Sequence, residues 1–415
     1  MNIVISLYWG LNKCIIQTIK FKKQLSLNYV KNSFTHNQHL LVVEKETHMV
    51  YYTILIYVLG VFMAIYAIWN NKGGVGKSYL TFQIACEYAK QHPGKKVLVV
   101  DLCPQANSSS MLLGGIEKGE QELSKIHSQS NKNTISGYIS ERLVSPYRTI
   151  NSAVKYITQV SSINNEVPEN VYLVVGDEEL EIQSSGILHA AQAPNVNDSW
   201  RLVHLWVRDL ISDIQNAWNN EENVVFIDCN PSFTIYTELA LAASDRLIIP
   251  FSADGSSKRA VKSVLSLVYG VKRHAGDVSS YFYTESLKSK LALPQIYMYI
   301  GNRLTINAKA SAKAFKTVVE EIGNEIYNVW SSNANLFCIH PLGAGTPTNK
   351  MSFRKMFQYE VRDANTASVV SGALGIPISL LTSGKRDILG KSVTVNQSQL
   401  DAQVPNIQKL VQCIE

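Results

Sequence analysis

Seven consecutive residues, Lys72-Gly73-Gly74-Val75-Gly76-Lys77-Ser78, carry the chemistry that is easiest to read in this chain. They follow the apolar run AIYAIW and precede YLTFQIACEYAK, so strand, glycine loop and helix come in the order a phosphate cradle requires. Glycines permit positive φ and close approach, which lets successive backbone N–H groups wrap an anion at a helix N-terminus. Gly73, Gly74, Val75, Gly76, Lys77, Ser78 and Tyr79 are the expected cradle. Lys77 is placed to reach the β and γ phosphates, and the Ser78 hydroxyl to ligate Mg2+. A carboxylate comes from NVVFIDCNPSF, a continuous apolar strand ending at Asp228, which is expected to hold Mg2+ through water.

The strict pattern for such a loop wants glycine five residues before Gly76, where this chain has Asn71; a lysine, Lys72, opens the loop instead. In this the sequence resembles the deviant-Walker ParA and MinD ATPases, whose loop reads KGGxGK[ST]. The resemblance implies ATP and Mg2+ as cofactors. It also implies a homodimer formed on ATP binding, in which Lys72 reaches the nucleotide of the partner subunit. KKVLVVDLCPQANSS is similar to that family's VDxDPQxN switch, with Asp101, Pro104, Gln105 and Asn107 matching. Cys103 stands where the family has a second Asp that orients the attacking water, which implies slow hydrolysis. A thiol is a weak hydrogen-bond partner and mostly uncharged at neutral pH. Asp101, one strand period away, is a possible aid to the Mg2+ shell without being an obvious substitute. Asn230-Pro231-Ser232 resembles the PPS switch, and QIYMYIGNRLT resembles the strand whose Asn, here Asn302, lies near the adenine; a turn or capping role fits Asn302 equally. RDANTASVVSGALGIPI resembles the late helix and G-x-P turn.

The elements that must position these residues read as α/β: a doubly wound, mostly parallel sheet with helices on both faces. The chain has 415 residues, 46% hydrophobic and 17% charged, which excludes a disordered or collagen-like protein. Length allows up to about three domains, yet no repeat or low-complexity linker divides residues 63–415. Lys77 and Asp228 are separated by 150 residues, long for the family, so an insertion or elaborated helical region is expected around 110–200, with the polar stretch Glu117–Thr134 as its mobile part. Residues 1–62 read as a leader of doubtful status. The charge-free run 49–69 has the length of a membrane span, but its last third must be the strand before the glycine loop. Translation is expected to begin at Met63 or Met49.

Six dispersed cysteines without a CxxC pair read as reduced thiols of a cytoplasmic protein. The formal charge is +6, but residues 1–62 hold six lysines against two glutamates, leaving only two net positive charges for the other 353 residues. DNA contact must therefore come from local clusters. Lys258, Arg259 and Lys262 fall at spacings that share a helical face, with Lys272 and Arg273 farther on, and Lys309, Lys313 and Lys316 form a second stripe.

Three function classes follow. The first is a ParA-like ATPase that coats nonspecific DNA as a dimer, is associated with the nucleoid, and partitions plasmid, chromosomal or other cargo. In it a ParB-like or other adaptor stimulates hydrolysis. The second is a MinD-like membrane positioner, for which the C-terminal LDAQVPNIQKLVQCIE is too weakly basic. The third is a tyrosine kinase or amide-forming synthetase on the same loop, and no Tyr follows Tyr359 to make a kinase tail. The first is the reading adopted, with an ATP-binding regulator of very slow hydrolysis as its variant.

Overall fold

The chain divides into two units, residues 1–62 and 63–415. The computed structural model describes residues 64–415 except 151–152, 220, 273, 275 and 305–308, together with the side chains of 303–315. The leader, the candidate start sites, Arg273 and the side chains of Lys309 and Lys313 lie outside the described residues.

In chain order the elements are β1 (Ile65–Ile68), α1 (Lys77–Gln91), β2 (Lys96–Leu102), α2 (Asn107–Leu113), α3 (Gly115–His127), α4 (Ile135–Val144), β3 (Ile157–Gln159), β4 (Val171–Val174), α5 (Glu179–Ala191), α6 (Ser199–His204), α7 (Trp206–Ala217) and β5 (Asn223–Cys229). They continue with α8 (Ile235–Ala243), β6 (Arg246–Phe251), α9 (Ser257–Tyr269), α10 (Tyr281–Lys288), β7 (Gln295–Leu304), α11 (Lys309–Ser332), α12 (Lys350–Phe357), β8 (Gln358–Arg362), α13 (Thr366–Leu374), β9 (Gly384–Ile388), β10 (Lys391–Val395) and α14 (Gln397–Val411).

Eight strands make one sheet in the order β3-β4-β2-β5-β1-β6-β7-β8, parallel throughout except for β3, which runs antiparallel to β4 at the edge. A short antiparallel hairpin, β9 with β10, stands apart. The central strands are buried on both faces, as their unbroken apolar runs require. Side chains alternate between two cores: Ile65, Ala67 and Trp69 join helices α4, α7, α8 and α9 on one face, while Tyr66 and Ile68 join α1, α13 and α14 on the other. This is the doubly wound architecture the pattern called for, and β1 at its centre is the end of the apolar run 49–69.

The C-terminal segment folds as α14, with Asn396 and Gln399 forming a capping box, and buries Leu400, Ile407, Leu410 and Val411 in the second core. Among the described residues no helix is long and apolar enough to cross a membrane.

The stretch from Glu117 differs from its expectation. Instead of a mobile loop it supplies most of α3, because Gly119, Leu123 and Ile126 form a narrow buried stripe at helical spacing. Gly119 lies so close to α2 that a Cβ there would stand 2.1 Å from the Ser110 carbonyl oxygen.

Candidate functional site

Parallel register brings the sequence-predicted groups together at the C-terminal ends of the central strands. Ile68 of β1 pairs with Asp228 of β5, and Asp228 with Asp101 of β2. This is where an open α/β sheet binds its ligand, outside the carboxyl ends of the strands. The loop from Asn70 to Gly76 leaves β1 there and enters α1. Gly74 and Gly76 adopt φ of 74° and 83°, the left-handed region that glycine takes without strain. A Cβ added at Gly73 or Gly74 would meet nothing within 4 Å, so the loop is open at these two residues.

Three tethers from other strands hold this loop. The Asn70 side-chain amide donates to the Pro250 carbonyl of β6 at 2.7 Å, and the Trp69 indole N–H to the Asn230 carbonyl after β5 at 2.9 Å. Asn302, fully buried in β7, donates from Nδ2 to the Val75 carbonyl at 2.9 Å. Asn302 thus braces the cradle from behind. Tyr79 contributes backbone to the helix start, while its hydroxyl donates to Gln403 of α14 at 2.7 Å.

Lys77 is nearly buried, and its ammonium donates to the Lys72 carbonyl at 2.9 Å and the Asn70 carbonyl at 3.4 Å. Burial draws its pKa down, with the Asp228 charge opposing. Lys72 points across the loop's mouth to the turn after β6, where it ion-pairs with Asp254 and donates to Ser252 at 3.1 Å and Ser257 at 3.2 Å. Partial burial would raise the Asp254 pKa, but Lys72 and the Ser252 and Ser256 hydroxyls hold it well below the usual carboxylate range.

At the floor, Asp228 is fully buried, and among the described residues neither carboxylate oxygen has a hydrogen-bond partner, although the Ser78 and Ser108 hydroxyls stand near enough to favour its charge. Burial, and then the neighbouring Asp101, push its pKa up to about 7. A buried carboxylate with both oxygens orphaned, beside a serine hydroxyl at a helix start, fits the hard-oxygen donor set of a hydrated Mg2+. Ser78 and Asp228 would hold that ion. Among the described residues no cluster of three or more His, Cys, Asp or Glu side chains forms another metal site.

Asp101 is placed otherwise than a free metal ligand. One oxygen accepts from the Cys103 N–H at 3.0 Å, the other from the Ser109 N–H at 3.0 Å and the Ser109 hydroxyl at 2.7 Å. The carboxylate clamps the β2–α2 turn, including Ala106 at φ 48°, a conformation worth about 1–3 kcal/mol of strain in a residue with a Cβ. Gly176, after β4, packs directly on this clamp. A Cβ there would stand 2.8 Å from Asp101 Cγ. Gly176→Ala is therefore expected to destabilise the protein by about 1–3 kcal/mol, or to displace Asp101. A thermal melt of the variant beside the wild type checks this.

Cys103 is buried at the mouth of the same turn, 3.9 Å from Asn230 Oδ1, and burial followed by the Asp101 and Asp228 charges pushes its thiol up to about 12. It is neutral at physiological pH. The sequence reading missed Trp69, Asn70, Tyr236 and Asp254, whose relevance rests on strand order.

Lys258, Arg259 and Lys262 lie at the start of α9, but Lys258 and Lys262 turn to α11 and pair with Glu321 at 3.0 Å and Glu325 at 3.2 Å. Arg259 is exposed and, among the described residues, makes no ion pair. Lys316 is exposed on α11.

Residues 63–278 match the AAA_31 family, an AAA domain. Among curated relatives, the sporulation initiation inhibitor protein Soj of Bacillus subtilis is 28% identical over 212 residues, 51% of this chain and 66% of Soj. The virulence plasmid ParA family protein pGP5-D of Chlamydia muridarum is 43% identical over 60 residues, 14% of this chain and 22% of that protein. The chain thus spans just under two thirds of the first relative and about a fifth of the second. Among solved structures, the ATP complex of a McdA variant from Cyanothece shares the fold with a TM-score of 0.50 at 14% identity, over 85% of this chain and 98% of that one. The family match runs from β1 past Asp254 and so contains the glycine loop, both buried aspartates and the Lys72 contact: the chain belongs to the ParA/MinD-type P-loop ATPase family.

Proposed function

We propose that this protein is a nucleotide-driven switch: it binds ATP with Mg2+, dimerises around the nucleotide, and in that form binds DNA irrespective of sequence to partition or position a cargo. An adaptor of the ParB kind stimulates hydrolysis and release, and the protein works in the cytoplasm at the nucleoid. The observation that carries the reading is the pairing of an open glycine cradle with two lysines of different placement, Lys77 inside and Lys72 at the rim. One lysine suffices to grip a triphosphate. A second, held by Asp254 and serines at the exposed mouth, is placed to read what docks there. Its relatives, one named a sporulation initiation inhibitor and the other a virulence plasmid ParA family protein, support a cargo role.

In this scheme the loop N–H groups and the α1 N-terminus bind the phosphates, and Lys77 neutralises charge where the γ-phosphoryl departs. Lys72 leaves Asp254 to reach the partner's nucleotide, and the buried Asn302 keeps the loop at its curvature. Ser78 and Asp228 would hold Mg2+, which would supply neutralisation of the phosphate charge there. The 1–62 segment is a leader outside the ATPase unit, and the helices between 110 and 200 are an elaboration of it.

The test is ATP-dependent binding to random-sequence DNA and, in parallel, to anionic liposomes across a salt series. Binding to DNA alone, steeply weakened by salt, is expected. Arg259→Ala should then lower the slope of log affinity against log salt by about 1. Liposome binding, or absence of both ATP binding and dimerisation, overturns the reading.

A further inference from the structure

The turn after β5 carries a second departure that meets the first in space. Where the family's PPS switch has proline, this chain has Asn230, and its side-chain oxygen faces the thiol of Cys103, which replaces the family's water-orienting Asp. Asn230 is buried, at 8% exposure, and pinned at three atoms. Its carbonyl accepts from the Trp69 indole at 2.9 Å, its Nδ2 donates to the Tyr236 hydroxyl at 3.0 Å, and its Oδ1 accepts from Cys103 Sγ at 3.9 Å. The Tyr236 contact takes the amide nitrogen, which turns the oxygen toward Cys103. A neutral thiol is a poor acceptor, whereas an amide oxygen engaged by one weak donor keeps a lone pair free.

We infer that Asn230 positions the attacking water, in place of the absent carboxylate at 103, with Tyr236 fixing the amide's orientation. In the step, the water oxygen bonds to the γ-phosphorus. The bond from phosphorus to the β–γ bridging oxygen breaks with its electron pair left on ADP, and the water proton passes to the released phosphate. The amide holds the water and takes no proton. Such a site orients without general-base assistance, which makes turnover slow and leaves room for an adaptor to accelerate it.

The inference rests on the ATPase reading, and the experiment separates the two. Single-turnover hydrolysis and nucleotide affinity are measured on the full chain for wild type, Asn230→Ala, Tyr236→Phe, Cys103→Asp, and Asn230→Ala combined with Cys103→Asp. Asn230→Ala should lower kcat by at least about tenfold while nucleotide affinity stays within about twofold. Tyr236→Phe should lower kcat less, and the double variant should regain turnover because Cys103→Asp restores an acceptor. If Asn230→Ala fails to fold, Tyr236→Phe, which keeps the ring's packing, carries the test alone. Unchanged kcat in the folded variants, or loss of affinity in step with rate, overturns the role of Asn230. Failure of the wild type to bind ATP overturns the underlying reading instead.

Discussion

Lys77→Ala is expected to lower ATP affinity by about 10-fold to 100-fold, the value of one or two charge-assisted hydrogen bonds to phosphate, and hydrolysis by a further 10²–10³, roughly. The reasoning starts from where the ammonium sits. It is 6% exposed, its contacts are loop carbonyls, and burial draws its pKa down, so it is a cation short of anions. A triphosphate in the glycine cradle supplies them. The same ammonium is the nearby positive charge for Asp228. Removing it leaves the metal site with uncompensated negative charge until an ion binds. The fold should survive, because the tethers from Asn70, Trp69 and Asn302 remain. Nucleotide titration and dimerisation by light scattering measure the effect. A Lys77→Ala protein that still bound random DNA in an ATP-dependent manner would contradict the switch.

The cradle was legible because its geometry is written in consecutive residues: glycines at the positive-φ positions, lysine and serine at the helix start, an apolar strand before. Asp228 was legible for a similar reason, an apolar strand ending in a carboxylate. What lay beyond reach depends on which strands become neighbours. Trp69 meets Asn230, Asn70 meets Pro250 and Asn302 meets Val75 across 161 to 227 residues of chain, and these contacts exist because β1 lies between β5 and β6, with β7 next in the sheet. The basic stripe shows the complementary limit. A helical projection of α9 sees only its own lysines, while the acids that neutralise Lys258 and Lys262 sit sixty-three residues later on α11. The bounds of helix α3 were hidden because few of its residues are buried, and two of those, Gly115 and Gly119, are glycines that serve close backbone approach rather than helix propensity.

Asp228→Asn should separate stability from function. In the folded protein the carboxyl keeps its proton up to about pH 7, against an ordinary value of 3.8, because burial and Asp101 disfavour the charge. Between those values the native state binds more protons than the unfolded chain, so stability falls as pH rises through that window. The penalty is absent below about pH 4 and complete above about pH 7. A displacement of that size corresponds to a few kcal/mol, on the order of 4, and Asp101, also raised, acts in the same sense. An amide at 228 carries no charge to bury. At pH 8 without Mg2+ the variant should therefore melt at a higher temperature than the wild type, with the difference shrinking as pH approaches 4. Mg2+ and nucleotide should close the gap from the other side, by stabilising only the wild type. Function should move oppositely, with the Mg2+-dependent gain in nucleotide affinity lost and turnover reduced about 10²-fold or more. Identical pH–stability curves for the two proteins would mean that Asp228 finds a partner that removes the burial penalty. The unpartnered carboxylate would then no longer point to a metal.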